Sequence, residues 1–387
     1  MPAPSAPPPD PADLPPEARP RLLSLSAAPA PRRVVEVDDL LRADAAFKLV
    51  CEGTALLWRG DFHGARQLLT ALGRRADRSP AGTGESARET FHLHRRSQGR
   101  RARLLGMLLV PLESDHSVPL RRAPDVREAC AHAYGPLPQV GGDGEPAGYA
   151  VALRELLGAV GGWEWRRKGV EVPALGGDRI HPYHGVFSPM RGEYVDLVAR
   201  APLPADRSLA LDLGTGTGVL AVVLARRGVR RVVATELDPR ARECARENVE
   251  RLGAADRVEV READLYPDGR APLVVCNPPW VPAKPTSPIE HAVYDPGSRM
   301  LRGFLSGLRG ALLPDGEGWL ILSDLAEHLE LRSREELLGL FEQSGLEVLD
   351  RLDARPRHPK ARDEGDPLAA ARGAEVTSLW RLAAAPA

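Results

Sequence analysis

The sequence predicts an α/β fold, with a doubly wound sheet in the second half of the chain. Three observations carry that reading. An apolar run, Ala210-Leu211-Asp212-Leu213, meets Gly214-Thr215-Gly216-Thr217-Gly218, and an apolar helical pattern follows through Val219, Leu220, Val222, Val223 and Leu224. A second run, Val232-Val233-Ala234, leads to Glu236, and a third, Leu273-Val274-Val275-Cys276, ends on Asn277-Pro278-Pro279-Trp280. Strands that alternate with helices build a parallel sheet covered on both faces, with the ligand at the C-terminal edge of the strands.

In chain order, residues 1–31 are dense in Pro and Ala and are expected to form a disordered or polyproline tail. Residues 32–135 are expected to form a mainly helical domain. Apolar residues recur at helical spacing in Leu40, Leu41, Phe47 and Val50, then in Phe62, Ala65, Leu68, Leu69 and Leu72, and a longer helix is expected over 85–109, ending before Pro111. Ala55-Leu56-Leu57-Trp58 reads as a buried end of this unit. Residues 136–178 read as a linker and hairpin. Gly141-Gly142-Asp143-Gly144 opens the connector, and Trp163 and Trp165, two apart as on one strand face, lead toward Val170-Glu171-Val172 and Arg179-Ile180. Residues 179–387 hold the α/β domain. Its later elements are a proline-rich loop over 281–288, a glycine-broken helix over 295–313, a strand at Gly318-Trp319-Leu320-Ile321-Leu322, a helix over 334–345 and terminal strands at Glu347-Val348-Leu349 and Val376-Thr377-Ser378-Leu379-Trp380.

Composition excludes several classes. The formal net charge of −1 gives no global basic field for nucleic acid. Within 59–103, however, eleven arginines face four acids, a surface suited to phosphate or to an acidic protein. Cys51, Cys130, Cys244 and Cys276 are scattered, and His92 and His94 sit two apart on a helical pattern, so no metal site is expected. No apolar run is long enough to span a membrane, and no basic stretch leads an apolar core at the N-terminus, so residence in the cytoplasm is expected.

Glycines let the backbone approach a ligand closely, and a helix N-terminus favours polar or anionic groups. A carboxylate about 20 residues past such a loop suits the two hydroxyls of a ribose, which makes Glu236 the ribose candidate. A dinucleotide fingerprint needs glycine where this chain has Val219, so an oxidoreductase is disfavoured. The G-x-G-x-G spacing instead resembles the loop of class I S-adenosylmethionine-dependent methyltransferases. Asn277-Pro278-Pro279-Trp280 resembles the signature of their subgroup that methylates planar nitrogens, glutamine amides and nucleobase amines among them. The resemblance covers about 179–382. It implies a Rossmann-like sheet of seven strands whose last strand is antiparallel, with S-adenosyl-L-methionine as cofactor.

The resemblance also implies roles. Asn277 through its side-chain carbonyl and Pro278 through its backbone carbonyl would accept from the acceptor nitrogen, and Trp280 would stack on it. Trp is less usual than Tyr or Phe at that position. Gly214, Thr215, Gly216 and Gly218 would form the cofactor turn, with Asp212 orienting the turn or the cofactor's amino-acid end. Asp264 would accept from the adenine amino group, with Leu237 and Leu265 beside the two carboxylates. Pro189 and Glu193 resemble a segment that lines the cofactor cleft in release-factor glutamine methyltransferases, although the Pro-Arg-Pro of that family reads Pro189-Met190-Arg191 here. Residues 32–135 would then recognise a macromolecular substrate, protein or RNA/DNA. A small-molecule acceptor in secondary metabolism, or a non-catalytic binding protein on the same fold, are the alternatives.

Overall fold

A computed structural model of the chain describes residues 14, 20–24, 30–78, 82–136, 148–189, 192–285, 290, 292–356 and 366–386. The chain divides into two compact units, residues 1–81 with 95–163, and residues 82–94 with 164–387.

The first unit is an α/β domain, which corrects the expectation of a mainly helical one. Its strands are β1 (Arg21–Leu22), β2 (Arg33–Val37), β3 (Thr54–Trp58), β4 (Leu108–Leu112) and β5 (Tyr149–Ala152), in the order β1-β5-β4-β3-β2. Helices α1 (Ala43–Cys51), α2 (Phe62–Ala76), α4 (Arg127–Tyr134) and parts of α3 (Ala87–Gly106) and α5 (Leu153–Lys168) complete it. The periodicity over 34–50 runs together a Val-rich strand and a separate helix. Every residue of β3 is buried, and such a short apolar run carries no periodicity to tell strand from helix. Trp163 and Trp165 belong to α5 rather than to a strand, and the hairpin beyond them is β6 (Val170–Glu171) paired with β7 (Arg179–Ile180). The tail also needs correction, because Arg21 and Leu22 pair in parallel with Tyr149 and Ala150 at the sheet edge. The rest of residues 1–31, apart from 14, 20–24, 30 and 31, and the connector over 141–147 lie outside the described residues.

The second unit is built on a sheet of seven strands. They are β8 (Leu209–Leu213), β9 (Arg231–Thr235), β10 (Val258–Arg261), β11 (Ala271–Cys276), β12 (Leu312–Ser323), β13 (Leu346–Ala354) and β14 (Thr377–Ala384), ordered β10-β9-β8-β11-β12-β14-β13. All neighbours are parallel except β14, which runs antiparallel to both β12 and β13. Side chains alternate between two apolar clusters along each central strand. Ala210, Val232, Ala234, Leu273, Val275, Trp319 and Ile321 face one, with Val195 and Val198 of α6 (Glu193–Arg200) and the apolar residues of α7 (Val219–Arg226). Leu211, Leu213, Val233, Val274, Cys276, Leu320 and Leu322 face the other, with Leu301, Phe304, Leu305 and Leu308 of α9 (Arg299–Ala311) and Leu337 and Phe341 of α11 (Arg334–Gln343). Period-two alternation with both faces covered is what a doubly wound sheet requires. Each of those Leu, Val and Phe side chains contributes about 1.5–3 kcal/mol by leaving water. A reciprocal capping box between Ser333 and Glu336 starts α11.

Register sets the site. Leu213 pairs with Thr235 on one side and with Cys276 on the other, so Gly214, Glu236 and Asn277 leave the sheet side by side at one edge. Among the described residues, no helix is long and apolar enough to cross a membrane.

Candidate active site

A cavity of about 550 Å³ opens at that edge, within the second unit. Asp212, Gly214, Thr215, Gly216, Glu236, Leu237, Asp264, Leu265, Asn277, Pro278 and Trp280 all line it. Gly218 and Pro189 do not. Gly218 (φ 82°) is the N-cap of α7, and a Cβ there would stand 3.3 Å from the Ala245 carbonyl of α8 (Pro239–Arg251), so it serves close helix packing. Pro189 is buried off the cavity, and from that segment Gly185, Val186 and Phe187 reach it instead.

The glycine turn is shaped by backbone. Gly214 and Gly216 adopt φ of 69° and 57°, which disfavours other residues. A Cβ on Gly214 would collide with the methyl of Met300, whereas one on Gly216 would meet nothing within 4 Å because that residue faces the cavity. The Gly214 and Thr215 N–H groups both donate to the Thr235 carbonyl, at 2.9 and 3.0 Å, fixing the turn to the end of β9.

Two carboxylates flank the turn. Glu236 accepts from the Gly216 N–H at 3.0 Å through Oε2 and from the Asp238 N–H at 3.1 Å through Oε1. Burial raises its pKa, and these N–H donors oppose the rise. Asp212 is fully buried, and its Oδ2 accepts from the Thr215 hydroxyl at 2.6 Å. Its Oδ1 is buried with no hydrogen-bond partner among the described residues. Burial pushes its pKa up to about 6, with the Thr215 hydroxyl and the Ala221 backbone N–H opposing. A buried acceptor without a donor is costly and marks a site where a donor from elsewhere fits. The open face of Gly216 and the carboxylates of Glu236 and Asp212 beside it thus suit a cofactor that brings hydroxyl or ammonium donors.

Beyond β10, Leu265 holds φ 71°, a left-handed conformation rare for a branched apolar residue, and its carbonyl accepts from the Thr235 hydroxyl at 2.6 Å. Asp264 beside it receives Arg299 at 2.6 Å. Arg299 and Met300 were not foreseen at the cavity. They arrive through the turn at Asp295, whose carboxylate caps α9 by accepting from the Met300 and Leu301 N–H groups at 2.9 and 3.2 Å.

In the tetrapeptide, the Trp280 indole N–H donates to Asn277 Oδ1 at 2.9 Å. An indole is a donor only, so this contact fixes which carboxamide atom faces it, and the oxygen keeps a second lone pair. Trp280 packs against both clusters of the sheet and against a third apolar cluster, so it stands where two walls of the cavity meet.

The arginine cluster of 59–103 is partly neutralised. Arg59 pairs with Glu36 at 2.6 Å, and Arg75 with Asp44 and Arg101 with Asp77 at 2.7 Å each. No group of three or more metal-ligating side chains occurs among the described residues.

Residues 179–322 match the family model described as the methyltransferase small domain. A release factor glutamine methyltransferase of Cereibacter sphaeroides is 33% identical over 177 residues, 42% of this chain and 62% of that protein. Another, of Mycolicibacterium smegmatis, is 42% identical over 130 residues, 31% of this chain and 44% of its own. A tRNA1(Val) (adenine(37)-N6)-methyltransferase of Shewanella loihica is 30% identical over 145 residues, 35% of this chain and 59% of that protein. The chain spans less than two thirds of the length of each of these relatives. The match to the methyltransferase small domain falls on the part of the chain that holds the glycine turn and the central parallel strands.

Proposed function

We propose that the chain transfers a methyl group from S-adenosyl-L-methionine to a planar nitrogen of a macromolecule. The observation that carries this is the meeting, in one cavity, of the glycine turn with Glu236 and of Asn277-Pro278-Pro279-Trp280. When bound, the cofactor supplies a methyl already activated on a sulfonium. Glu236 would hold the ribose hydroxyls, Asp212 the turn and the ammonium of the amino-acid end, and Asp264 the adenine amino group, with Leu237 and Leu265 packing beside it.

The remaining work falls to the acceptor. An amide or aromatic amine is a poor nucleophile because its lone pair is delocalised. Asn277 Oδ1 and the Pro278 carbonyl accept hydrogen bonds from its two N–H groups and draw the nitrogen out of conjugation. Paired prolines stiffen the backbone that aims the Pro278 carbonyl. Trp280 orients Asn277 through its N–H and offers a flat face for stacking. Holding the nitrogen in this position supplies several kcal/mol or more of the barrier.

The acceptors in the relatives' names include a glutamine of a release factor, an adenine of tRNA and ribosomal protein L11. The protein amide takes the lead, because Arg59, Arg75 and Arg101 of the arginine-rich span pair with acids. The excess of arginines over acids within 59–103 favours RNA as the second reading. Either acceptor belongs to translation, which fits action in the cytoplasm. Incubation of the chain with labelled cofactor and cell extract, followed by mass spectrometry of the protein and RNA fractions, decides the matter. Label in glutamine of a protein supports the lead reading, label in adenine supports the second, and label in neither rejects both.

A further inference from the structure

Beyond the tetrapeptide, the cavity is walled by side chains from segments far apart in sequence. Phe91 comes from the start of α3, Tyr294 from the loop after the tetrapeptide, Leu325 and Leu329 from α10 (Leu325–His328) and its end, and Leu368 from just before α12 (Ala369–Ala374). They form one apolar cluster, against which Trp280 packs. Phe91 is 2% exposed, and its ring centroid lies 6.5 Å from that of Tyr294 at 53°. One turn earlier, Arg88 Nε donates to the Glu330 carbonyl at 2.7 Å, which ties the start of α3 to the end of α10. The two charged residues of the cavity on this side each hold a partner. Arg372 pairs with Asp366 at 3.0 Å, and Glu375 accepts from Ser323 at 2.8 Å.

We propose that Phe91 is a specificity-determining residue that, with Tyr294 and Trp280, forms a dry slot for a flat, uncharged acceptor group and excludes an ammonium. This rests on the methyl-transfer reading above. Aromatic faces favour a stacked planar group, and an apolar wall makes a charged nitrogen far costlier to admit than a neutral one. The slot thereby selects the nitrogens that need the help of Asn277 and refuses amines that are already nucleophilic once deprotonated.

Binding rather than turnover tests it. The full chain, saturated with S-adenosylhomocysteine, is titrated with benzamide and with benzylammonium, and each is followed by saturation-transfer NMR. Benzamide is expected to bind at least about tenfold more tightly than benzylammonium. Phe91→Leu, which keeps an apolar side chain but loses the ring, is expected to weaken benzamide about three- to tenfold. Phe91→Tyr is expected to keep it, and both variants to bind S-adenosylhomocysteine as the parent does. Equal binding of the two probes, absence of benzamide binding, or a Phe91→Leu variant that binds benzamide unchanged overturns the proposal. So does a Phe91→Leu variant that loses S-adenosylhomocysteine in the same proportion, since Phe91 would then support the fold alone. Failure of the parent chain to bind S-adenosylhomocysteine overturns the methyl-transfer reading itself.

Discussion

The sheet-edge side of the cavity is made of turns at the ends of adjacent strands, whereas the far side is made of single side chains gathered from distant segments. On the first, the Gly214 N–H donates to the Thr235 carbonyl, and the Gly216 and Asp238 N–H groups donate to the Glu236 carboxylate. On the second, Phe91, Leu329 and Leu368 gather with Tyr294 in one apolar cluster. Backbone turns at parallel strand ends fix a ligand common to many enzymes, while a packed wall can be rebuilt around each acceptor. The proposed chemistry sits at the seam, where Asn277 follows a strand end and Trp280 touches both sides.

The largest expected effect lies at that seam. In the proposed reaction Asn277→Ala removes an acceptor used only as the nitrogen changes geometry, so turnover should fall about 10²- to 10³-fold, by analogy with removal of one oxyanion-hole donor. Cofactor affinity should stay within a few-fold. Steady-state kinetics beside a binding titration separates the two, and parent-like turnover would place the chemistry elsewhere.

Next comes Asp212, on the sheet-edge side. Its folded pKa of about 6 lies above the ordinary carboxylate value of 3.8. The protonated form therefore favours the fold. That stability is fully present below pH 3.8 and is lost as pH rises through about 6. At pH 7.5 the cofactor-free chain carries a penalty on the order of 3 kcal/mol from this group. Asp212→Asn should remove most of it, raising stability at pH 7.5 and flattening the dependence between pH 5 and 8. Denaturant unfolding of both proteins across that range measures this, and parallel curves would show that Asp212 is ionised at no cost.

Trp280→Phe is the smallest. It keeps an aromatic face and deletes the N–H that holds Asn277, so kcat should fall by the worth of one hydrogen bond, about 1 kcal/mol or roughly fivefold. Cofactor affinity should be unchanged. A drop as large as that of Asn277→Ala would mean that the indole itself shapes the pocket, and no drop would mean that Asn277 is oriented without it.

How much of this was legible in the sequence follows the same division. The sheet-edge side was readable because its parts are local. Strand, glycine turn and carboxylate lie within 30 residues, and parallel register does the rest, bringing Gly214, Glu236 and Asn277 to one edge. Gly218 carries the same signal as Gly216, yet it faces α8 instead of the cavity. Spacing alone does not say which way a glycine faces. The far side was not readable. Phe91 lies about 190 residues before Trp280 and looks like any apolar residue on a helix, and only tertiary packing joins them. Arg299 and Met300 had a local signal in the Asp295-Pro296-Gly297 turn, which marks a helix start but not its neighbour. In the first unit, Val34 to Val37 and Ala55 to Trp58 are too short to show a period, and the long arginine-rich α3 made the whole region look helical.

The central claim is that one side of the cavity holds the cofactor and the seam does the chemistry. Calorimetric titration of S-adenosylmethionine into the parent chain, Glu236→Ala and Asn277→Ala tests it most directly. The account predicts one-to-one binding by the parent, a loss of about 1.5–3 kcal/mol in Glu236→Ala, as for a hydrogen bond to a charged group, and affinity within a few-fold of the parent in Asn277→Ala. Equal affinity in the parent and Glu236→Ala, or no binding by the parent at all, would contradict it.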